Sequence, residues 1–457
     1  MKKTIKSIIS ACLALVLCLS LAACGGGDSP SAQTTEPLIT VPTTPDEGEG
    51  TATDPQGEDF ISSLANVEGL PETLENPNIT IVYWYNEQQY AYDTSKQDTV
   101  YDPILEAIPY FEEYYGGEVN VVYAAWNDML STVISMQESN EAPDLFEVYD
   151  ENLYSVIQSG VAMNLDDYIT DKDMSYYDVR KETFQWLGST YAIPLKPYAF
   201  YIMFNRDLFE LEGLQAPDEL YREGNWNWDT FADVCKKLTK TRDGEVYQLG
   251  YGSYEDTILS FMYANGGSLL NVDTTTGTVT SNLGSVETQN TLEYLISLKD
   301  NFIYGTDIFG WFDNGNLAMI RGKEFPVDLP FEVGMVPFPT GDDYEGKNLV
   351  VYPQGMAVPT GAKNPEGAVA FMRIVNELQQ VVGNAKEAAR IGQENYDMIY
   401  SPDVKLVYNY DKCLNDIGTD IASIVNYIRD GVPAATINAN MDSIIKAEIE
   451  LMYGGKK

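Results

Sequence analysis

Between residues 79 and 148 the sequence alternates segments typical of strands with segments typical of helices. Ile79-Thr-Ile-Val-Tyr-Trp84 is rich in β-branched and aromatic residues, which predicts a strand. Apolar residues at helical spacing predict a helix from Pro103 to Tyr115, ended by Gly116 and Gly117. The alternation continues with a strand over 118–123, a helix over 128–138 and a strand over 143–148. This order predicts right-handed βαβ units around a mostly parallel sheet, and therefore an α/β fold.

The best-defined helix start later in the chain follows Trp226-Asn227-Trp228. Asn227 is predicted to cap this helix, because its side chain can accept a hydrogen bond from a free backbone N–H. Thr230 stands where a glutamate would complete a capping box, so the reciprocal bond is expected to be absent. We interpret Trp228 as a packing residue, whereas packing and ligand contact stay equally open for Trp226.

The first 24 residues determine where the protein is expected to work. Three lysines precede an apolar run over 8–23, which is shorter than the roughly 20 residues that span a membrane and predicts a signal peptide over 1–23. Leu21-Ala-Ala-Cys24 resembles the bacterial lipobox, whose cysteine receives lipid; an ordinary signal peptide with a chance cysteine is the alternative. Residues 24–59 contain no Lys or Arg and are expected to form a disordered acidic tether.

Composition excludes several functions. The chain carries 69 acidic against 28 basic residues, a formal net charge of −41, which opposes binding to nucleic acid. It contains no histidine, which rules out Ser-His-Asp and Cys-His catalysis and His-ligated zinc. Cys235 lies on an apolar helical stripe and is expected to be a buried free thiol, although a disulfide with Cys413 stays open. Phosphate-loop and dinucleotide-binding motifs are missing, so we expect no cofactor. Without His or a cluster of Cys residues, we also expect no metal.

Segments spread along the chain resemble, in order, those of the extracellular solute-binding proteins of ABC importers, specifically the sugar-binding family that includes maltose-binding protein. They include Ala142-Pro-Asp-Leu145, Phe204-Asn-Arg-Asp-Leu-Phe209, Trp226-Asn-Trp-Asp-Thr-Phe231 and Gly334-Met-Val-Pro-Phe-Pro339, with further matches at 111–114, 162–169, 191–194, 265–267 and 315–319. The resemblance covers most of the chain from Ile79 onward. One departure is Arg321, a fixed positive charge that we expect to pair with a carboxylate rather than to read a charged sugar.

The resemblance implies a two-lobed α/β fold of the periplasmic-binding-protein type (type II, Venus flytrap), with hinge strands between the lobes and the ligand in the cleft. Lobe 1 is expected to comprise 60–195 plus 352–390, and lobe 2 to comprise 196–351 plus 391–457. The implied function is a non-catalytic monomeric receptor, anchored by lipid on Cys24 to the outer face of a Gram-positive membrane. It would capture a neutral sugar or oligosaccharide and deliver it to an ABC permease.

Candidate ligand residues come from predicted strand ends and crossings, because ligands of open α/β sheets bind beyond the carboxyl ends of the strands. Sugars stack their C–H faces on aromatic rings and need polar partners for their hydroxyls, and the chain has 32 Tyr and 6 Trp. The candidates are Trp84, Tyr85, Asn86, Glu87, Trp126, Asp128, Tyr149, Asp150, Lys196, Tyr198, Tyr254, Asp256, Trp311, Arg321, Tyr352 and Gln354.

Two other functions stay open at this point. A secreted glycoside hydrolase would need only a pair of suitably spaced carboxylates, and 69 acidic residues provide many. A binding protein for a non-sugar solute, such as a peptide, a polyol or a sugar acid, would share the same fold. The order of the resembling segments favours the sugar receptor.

Overall fold

The computed structural model describes residues 57–96, 100–149, 151–177, 181–254, 257–304, 308–322, 329–341, 344, 347–401, 404–408, 410–411 and 417–454. The predicted signal peptide, Cys24 and residues 25–56 of the tether therefore lie outside the described residues, as do Asp150, Asp256 and Cys413. Among the helices that are described, none is both long and apolar enough to cross a membrane.

The described strands form two main sheets and two short hairpins. In chain order the strands are β1 Ile79–Tyr83, β2 Val119–Tyr123, β3 Leu145–Tyr149, β4 Gln185–Trp186, β5 Ser189–Thr190, β6 Ile193–Pro194, β7 Tyr198–Asn205, β8 Lys240–Arg242, β9 Glu245–Ser253, β10 Leu270–Asp273, β11 Thr278–Ser281, β12 Phe302–Tyr304, β13 Leu317–Gly322, β14 Val333–Val336, β15 Lys347–Tyr352, β16 Gln354–Ala357 and β17 Val404–Tyr408.

Helices cover both sheets. They are α1 Gly57–Leu64, α2 Glu87–Lys96, α3 Pro103–Tyr115, α4 Met129–Glu138, α5 Leu153–Gln158, α6 Arg206–Leu211, α7 Pro217–Arg222, α8 Trp228–Leu238, α9 Thr257–Ala264, α10 Val286–Ser297, α11 Ile308–Asp313, α12 Pro365–Leu378, α13 Asn384–Ile391, α14 Gln393–Ile399, α15 Ile417–Arg429 and α16 Ala434–Tyr453. A π-helical turn, Gln379–Gly383, joins α12 to α13.

The first sheet has five strands in the order β2-β1-β3-β16-β6. β1 pairs in parallel with β2 and β3, as the alternation of strands and helices predicts. β16 is antiparallel to both β3 and β6. It follows β3 in the sequence by about 200 residues. The sequence pattern of the first strands contains no sign of this late antiparallel partner.

The second sheet is built around the path β12-β9-β13-β7-β15-β17, with β14 paired to β7 and β8 to β9. β9, β12 and β13 run parallel to one another, and β7 runs antiparallel to β13, β14 and β15. Its interior is rich in buried aromatic rings, including Phe204, Phe231, Tyr251 and Phe261. Such rings supply much of the apolar area that stabilises a core of this size.

Several helix ends agree with the sequence signals. Asp102 caps α3 by accepting hydrogen bonds from Ile104 N and Leu105 N, and Gly116 ends the helix with a φ of 73°. Asn364 caps α12 by accepting a bond from Gly367 N. The predicted helix boundaries at Pro103 and Tyr115 are therefore confirmed.

The expectation about the start of α8 was wrong in one respect. A capping box is present, because Thr230 N donates to Asn227 Oδ1 and Asn227 N donates to Thr230 Oγ1, both at 3.0 Å. A threonine hydroxyl is short, but it lies close enough to take the place of the longer glutamate side chain. Trp226 is buried and donates to Pro337 O at 2.9 Å, and Trp228 stacks on Tyr294 with ring centroids 4.3 Å apart, so both indoles pack.

Helix α1 was also missed, and it takes in residues 57–59 of the predicted tether. Phe60 and Leu64, four residues apart, are buried, and α1 packs against α3. A helix of 8 residues gives too short a periodic pattern to be recognised beside an acidic low-complexity segment. Cys235 is a buried free thiol, as predicted.

Candidate functional site

The chain topology brings the carboxyl ends of the two sheets toward each other. The first crossing joins β6 to β7 through Leu195, Lys196 and Pro197, and the second joins β15 to β16 through Pro353 alone. Leu195 N donates to Gln354 O at 2.9 Å, so the two crossings lie side by side. β1, β2 and β3 end on the five-stranded side of these crossings, and β9, β13 and β15 end on the other. Ligands of open α/β sheets bind at such an edge.

Four aromatic candidates form one cluster at the end of the five-stranded sheet. Trp84 stacks on Tyr85 with ring centroids 5.2 Å apart and planes 8° apart. Trp126 meets Trp84 edge-on at 5.7 Å, and Tyr149 stacks against Trp126 at 4.2 Å. Ring pairs in these geometries are each worth about 0.5–1.5 kcal/mol beyond the area that they bury. The cluster is therefore held in shape by its own contacts.

Within this cluster the rings differ in what they can offer a ligand. Trp126 is 37% exposed, although Tyr149 covers one of its faces. Trp84 is half-buried, and its Nε1–H has no acceptor among the described residues. Tyr85 is fixed by its hydroxyl, which donates to Asp93 Oδ2 at 2.6 Å. Trp126 is thus the member best placed to present a ring surface, with Trp84 and Tyr149 behind it.

A second aromatic pair lies at the end of the eight-stranded sheet. Tyr254 follows β9 directly and is 39% exposed, and Phe309 on α11 is 41% exposed, with ring centroids 5.6 Å apart. Phe309 was not among the candidates predicted from the sequence. Ile308 and Phe312, four residues apart, bury the inner face of α11, so helical periodicity would have put Phe309 outside. Trp311, which was predicted, is half-buried against the core instead.

The polar candidates near the first strand ends have structural tasks. Asn86 Oδ1 accepts from Gln88 N at 2.8 Å and so caps α2, a helix that the sequence analysis did not predict. Glu87 is exposed in the first turn of α2, where a negative charge suits the helix dipole. Asp128 is exposed just before α4, and its carbonyl accepts from Ser131 and Thr132 hydroxyls. The carboxylates of Glu87 and Asp128 keep their exposure to solvent.

A second group of candidates surrounds the two crossings. Tyr198 pairs directly with Tyr352 across β7 and β15, and Tyr352 meets Phe200 edge-on at 4.4 Å. Arg321 is buried, with its guanidinium 4.2 Å above the Phe200 ring. A cation over an aromatic face is a favourable arrangement when it is desolvated. The expected carboxylate partner of Arg321 stays a prediction.

Gln354 and Lys196 already have partners inside the protein. Gln354 begins β16 opposite Tyr149, and its side-chain amide donates to the buried carboxylate of Glu147. The ammonium of Lys196 donates to Asn384 Oδ1 at 2.8 Å and forms an ion pair with Glu387 on α13. Burial lowers the pKa of Lys196, while the charge of Glu387 opposes that shift. A ligand contact by Lys196 would require this pair to break, so that role stays a prediction.

No group of His, Cys, Asp and Glu in the described part of the chain has the arrangement of a metal site. Asp273 caps a hairpin turn between β10 and β11 by accepting from Thr275 N and Thr276 N. The chemistry that the described edge offers is ring stacking combined with hydrogen bonding from amide, hydroxyl and carboxylate groups. Such a set is suited to holding a small polar molecule.

Two α/β sheets joined by crossing strands, with aromatic rings at the facing ends, define a two-lobed binding protein. The family model of the bacterial extracellular solute-binding proteins matches residues 93–377, more than half of the chain. The chain belongs to this family.

Solved structures with the same fold include several sugar complexes. A substrate-binding protein of Listeria monocytogenes in complex with cycloalternan has a TM-score of 0.61 and 17% identity, covering 83% of this chain and 99% of its own. A cyclo/maltodextrin-binding protein with maltotetraose has a TM-score of 0.65 and 14% identity, at 83% and 99% coverage. UgpB of Mycobacterium tuberculosis with glycerophosphocholine has a TM-score of 0.61 and 17% identity, at 82% and 99% coverage.

Curated relatives are matched over a shorter stretch. A putative binding protein of Brucella abortus (strain 2308) is 29% identical over 185 residues, which is 37% of this chain and 42% of the relative. The chain thus spans about two fifths of the length of the curated relatives that it matches.

Proposed function

We propose that this protein is the lipid-anchored receptor of an ABC importer and that it binds a neutral oligosaccharide between its two lobes. The ligand would lie at the carboxyl ends of both sheets, next to the crossings at 195–197 and Pro353. Lobe 1 would comprise 60–195 plus 352–390, with α1 added to it, and lobe 2 would comprise 196–351 plus 391–457. The protein would act without catalysis, as a monomer.

The observation that carries this proposal is the presence of solvent-exposed aromatic rings at the ends of both sheets. Trp126 is 37% exposed on one side, and Tyr254 and Phe309 are 39% and 41% exposed on the other. Large rings left in water at a strand-end edge cost free energy unless a ligand covers them. Two platforms on separate lobes fit a ligand with more than one sugar ring, because each ring can stack on one platform.

The N-terminal sequence and the family support the proposed lipid anchor. Members of an extracellular family must stay near the membrane or be enclosed behind an outer one, and Leu21-Ala-Ala-Cys24 offers a means of attachment. The acidic tether after Cys24 would separate the folded body from the lipid surface. A Cys24→Ser change should release the protein from a Gram-positive host into the medium and abolish incorporation of labelled palmitate. Retention of lipid label in this variant would refute the assignment.

Calorimetric titration of the purified protein with maltotetraose, cycloalternan and a panel of other oligosaccharides tests the ligand class. For the oligosaccharide that binds, Trp126→Ala and Tyr254→Ala should each weaken affinity by about 30-fold, because a buried aromatic anchor is worth about 2 kcal/mol. Tyr247→Ala is the matched control. Tyr247 is 44% exposed near the start of β9, about 23 Å from Tyr254, which follows the other end of that strand.

The receptor hypothesis would be refuted if no oligosaccharide of the panel gave binding heat or a thermal shift. If the protein also released reducing ends from a polysaccharide, it would be a glycoside hydrolase. Equal losses in Tyr247→Ala and Tyr254→Ala would refute the location of the site.

A second candidate ligand class is supported by the shape of the ring cluster. Trp84, Tyr85, Trp126 and Tyr149 present stacked and edge-on rings within 6 Å of their neighbours. Such clusters attract quaternary ammonium groups, and a structural relative was solved with glycerophosphocholine. Titration with glycerophosphocholine under the same conditions decides between the two classes.

A further inference from the structure

The chain passes between the two halves a third time, after α12. This helix packs on α3 beside the five-stranded sheet, whereas α14 packs on β14 of the eight-stranded sheet. The π-helical turn Gln379–Gly383 and α13 lie between them. π-helical turns inside helical runs are rare and occur frequently at functional sites.

Lys196 connects this third crossing to the first one. Its backbone lies between β6 and β7, and its ammonium reaches across to Asn384 and Glu387 on α13. The hydroxyl of Tyr400, the residue that follows α14, donates to Glu387 Oε1 at 2.8 Å. The Lys196 ammonium also lies 4.6 Å from the ring centroid of Tyr400 and 5.3 Å from that of Tyr396.

The pair is largely shielded from water. The side chains of Lys196 and Glu387 are only 16% and 20% exposed. A charge pair in such surroundings is less screened by salt, and a second hydrogen bond from Tyr400 fixes the carboxylate. Other ion pairs of the protein, such as Lys240 with Glu212, join residues within one half. The Lys196–Glu387 pair instead joins two segments that must both bend when the halves rotate.

We propose that Lys196 is a positioning residue that never contacts the ligand. Its ion pair with Glu387 ties the first crossing to the third and so sets the angle between the two lobes. The effect of this ion pair on ligand affinity rests on the proposed function, since a ligand held between two lobes selects one interlobe angle. The influence on the angle itself does not depend on what the ligand is.

The interlobe angle can be measured without ligand by spin labels on Glu113→Cys in α3 and Lys236→Cys in α8, in a Cys413→Ser background. Both positions are exposed, one on each half. Lys196→Met should shift or broaden the measured distance distribution, as should Glu387→Gln, while Lys196→Arg should preserve it. The control is Lys240→Met, which removes a partly shielded pair, with side chains 31% and 28% exposed, within the eight-stranded half.

The affinity of the oligosaccharide found by titration should change at least about 5-fold in Lys196→Met, the lower end of typical coupling between distant sites. An unchanged distance distribution in Lys196→Met and Glu387→Gln would overturn the inference, even if wild-type protein binds sugar. If no sugar binds but the distribution shifts in these variants alone, the inference stands and the proposed function fails.

Discussion

Arg373 and Asp173 form a buried ion pair whose removal should be among the most damaging single changes in this protein. Arg373 on α12 donates from Nε and Nη2 to the two oxygens of Asp173, each at 2.8 Å. The side chains are 7% and 1% exposed. Arg373 also donates to the carbonyls of Gly69 and Tyr168, so one guanidinium holds three separate segments together.

The cost of breaking the pair follows from this burial. Losing one partner of a buried pair destabilises a protein by about 3–5 kcal/mol, because the remaining charge has no compensation. Arg373→Met should therefore lower the free energy of unfolding by about 4 kcal/mol. Asp173→Asn should cost less, about 2–3 kcal/mol, because the asparagine keeps an oxygen for Thr170 N, which donates to Asp173 at 2.7 Å.

Urea unfolding followed by circular dichroism measures these changes, with the double variant completing a cycle. The double variant should be more stable than the sum of the two single losses predicts, because it leaves no unpaired buried charge. Lys446→Met is the control, since Lys446 and Asp442 form an exposed pair on α16 that is worth at most about 1 kcal/mol. A loss in Arg373→Met no larger than in this control would refute the reasoning.

Three further changes test other parts of the fold. Burial raises the pKa of Asp102 to about 6. The protonated carboxyl therefore stabilises the folded state by about 3 kcal/mol below pH 4. This contribution is lost as the pH rises through 6. The stability difference between wild type and Asp102→Asn, measured in urea from pH 4 to 7, should shrink by that amount; a difference independent of pH contradicts it. Thr230→Ala should cost about 1 kcal/mol by removing half of the capping box, whereas Thr230→Ser should retain most of it, and equal melting temperatures for the two would argue against the cap. Gly334→Ala should lower the free energy of unfolding by about 1–3 kcal/mol, because a Cβ there would lie 2.0 Å from the Phe204 ring. A urea midpoint equal to that of the wild type would show that the ring can move away.

Sequence patterns predicted those parts of the fold that depend on neighbouring residues. The α3 boundaries followed from Pro103 and Gly116, and the first three strands from short β-branched runs. The antiparallel strand β16 could not be inferred, because the reason for its position lies in β3, about 200 residues earlier. The reciprocal capping bond at Thr230 was wrongly predicted to be absent. The capping-box rule is stated for glutamate and does not cover a nearby threonine hydroxyl.

The candidate site shows the same division. Trp84 follows β1, Trp126 lies three residues beyond β2, and Tyr149 ends β3. Their proximity could therefore be expected from the parallel order of the sheet. Asn86 was chosen for its amide, but only the structure shows that it caps α2. The partner of Lys196 is 191 residues away in sequence, and no local pattern connects Lys196 to Glu387.

The late arrival of β16 has a consequence for how the chain is made. As the chain emerges, from the ribosome or across a membrane, β3 has no partner on one side until residue 354 follows, about 200 residues later. Until then the five-stranded sheet has an open edge that cannot close, and the nascent chain stays far from its final form. A chain truncated before residue 354 would keep that edge permanently and should aggregate through it.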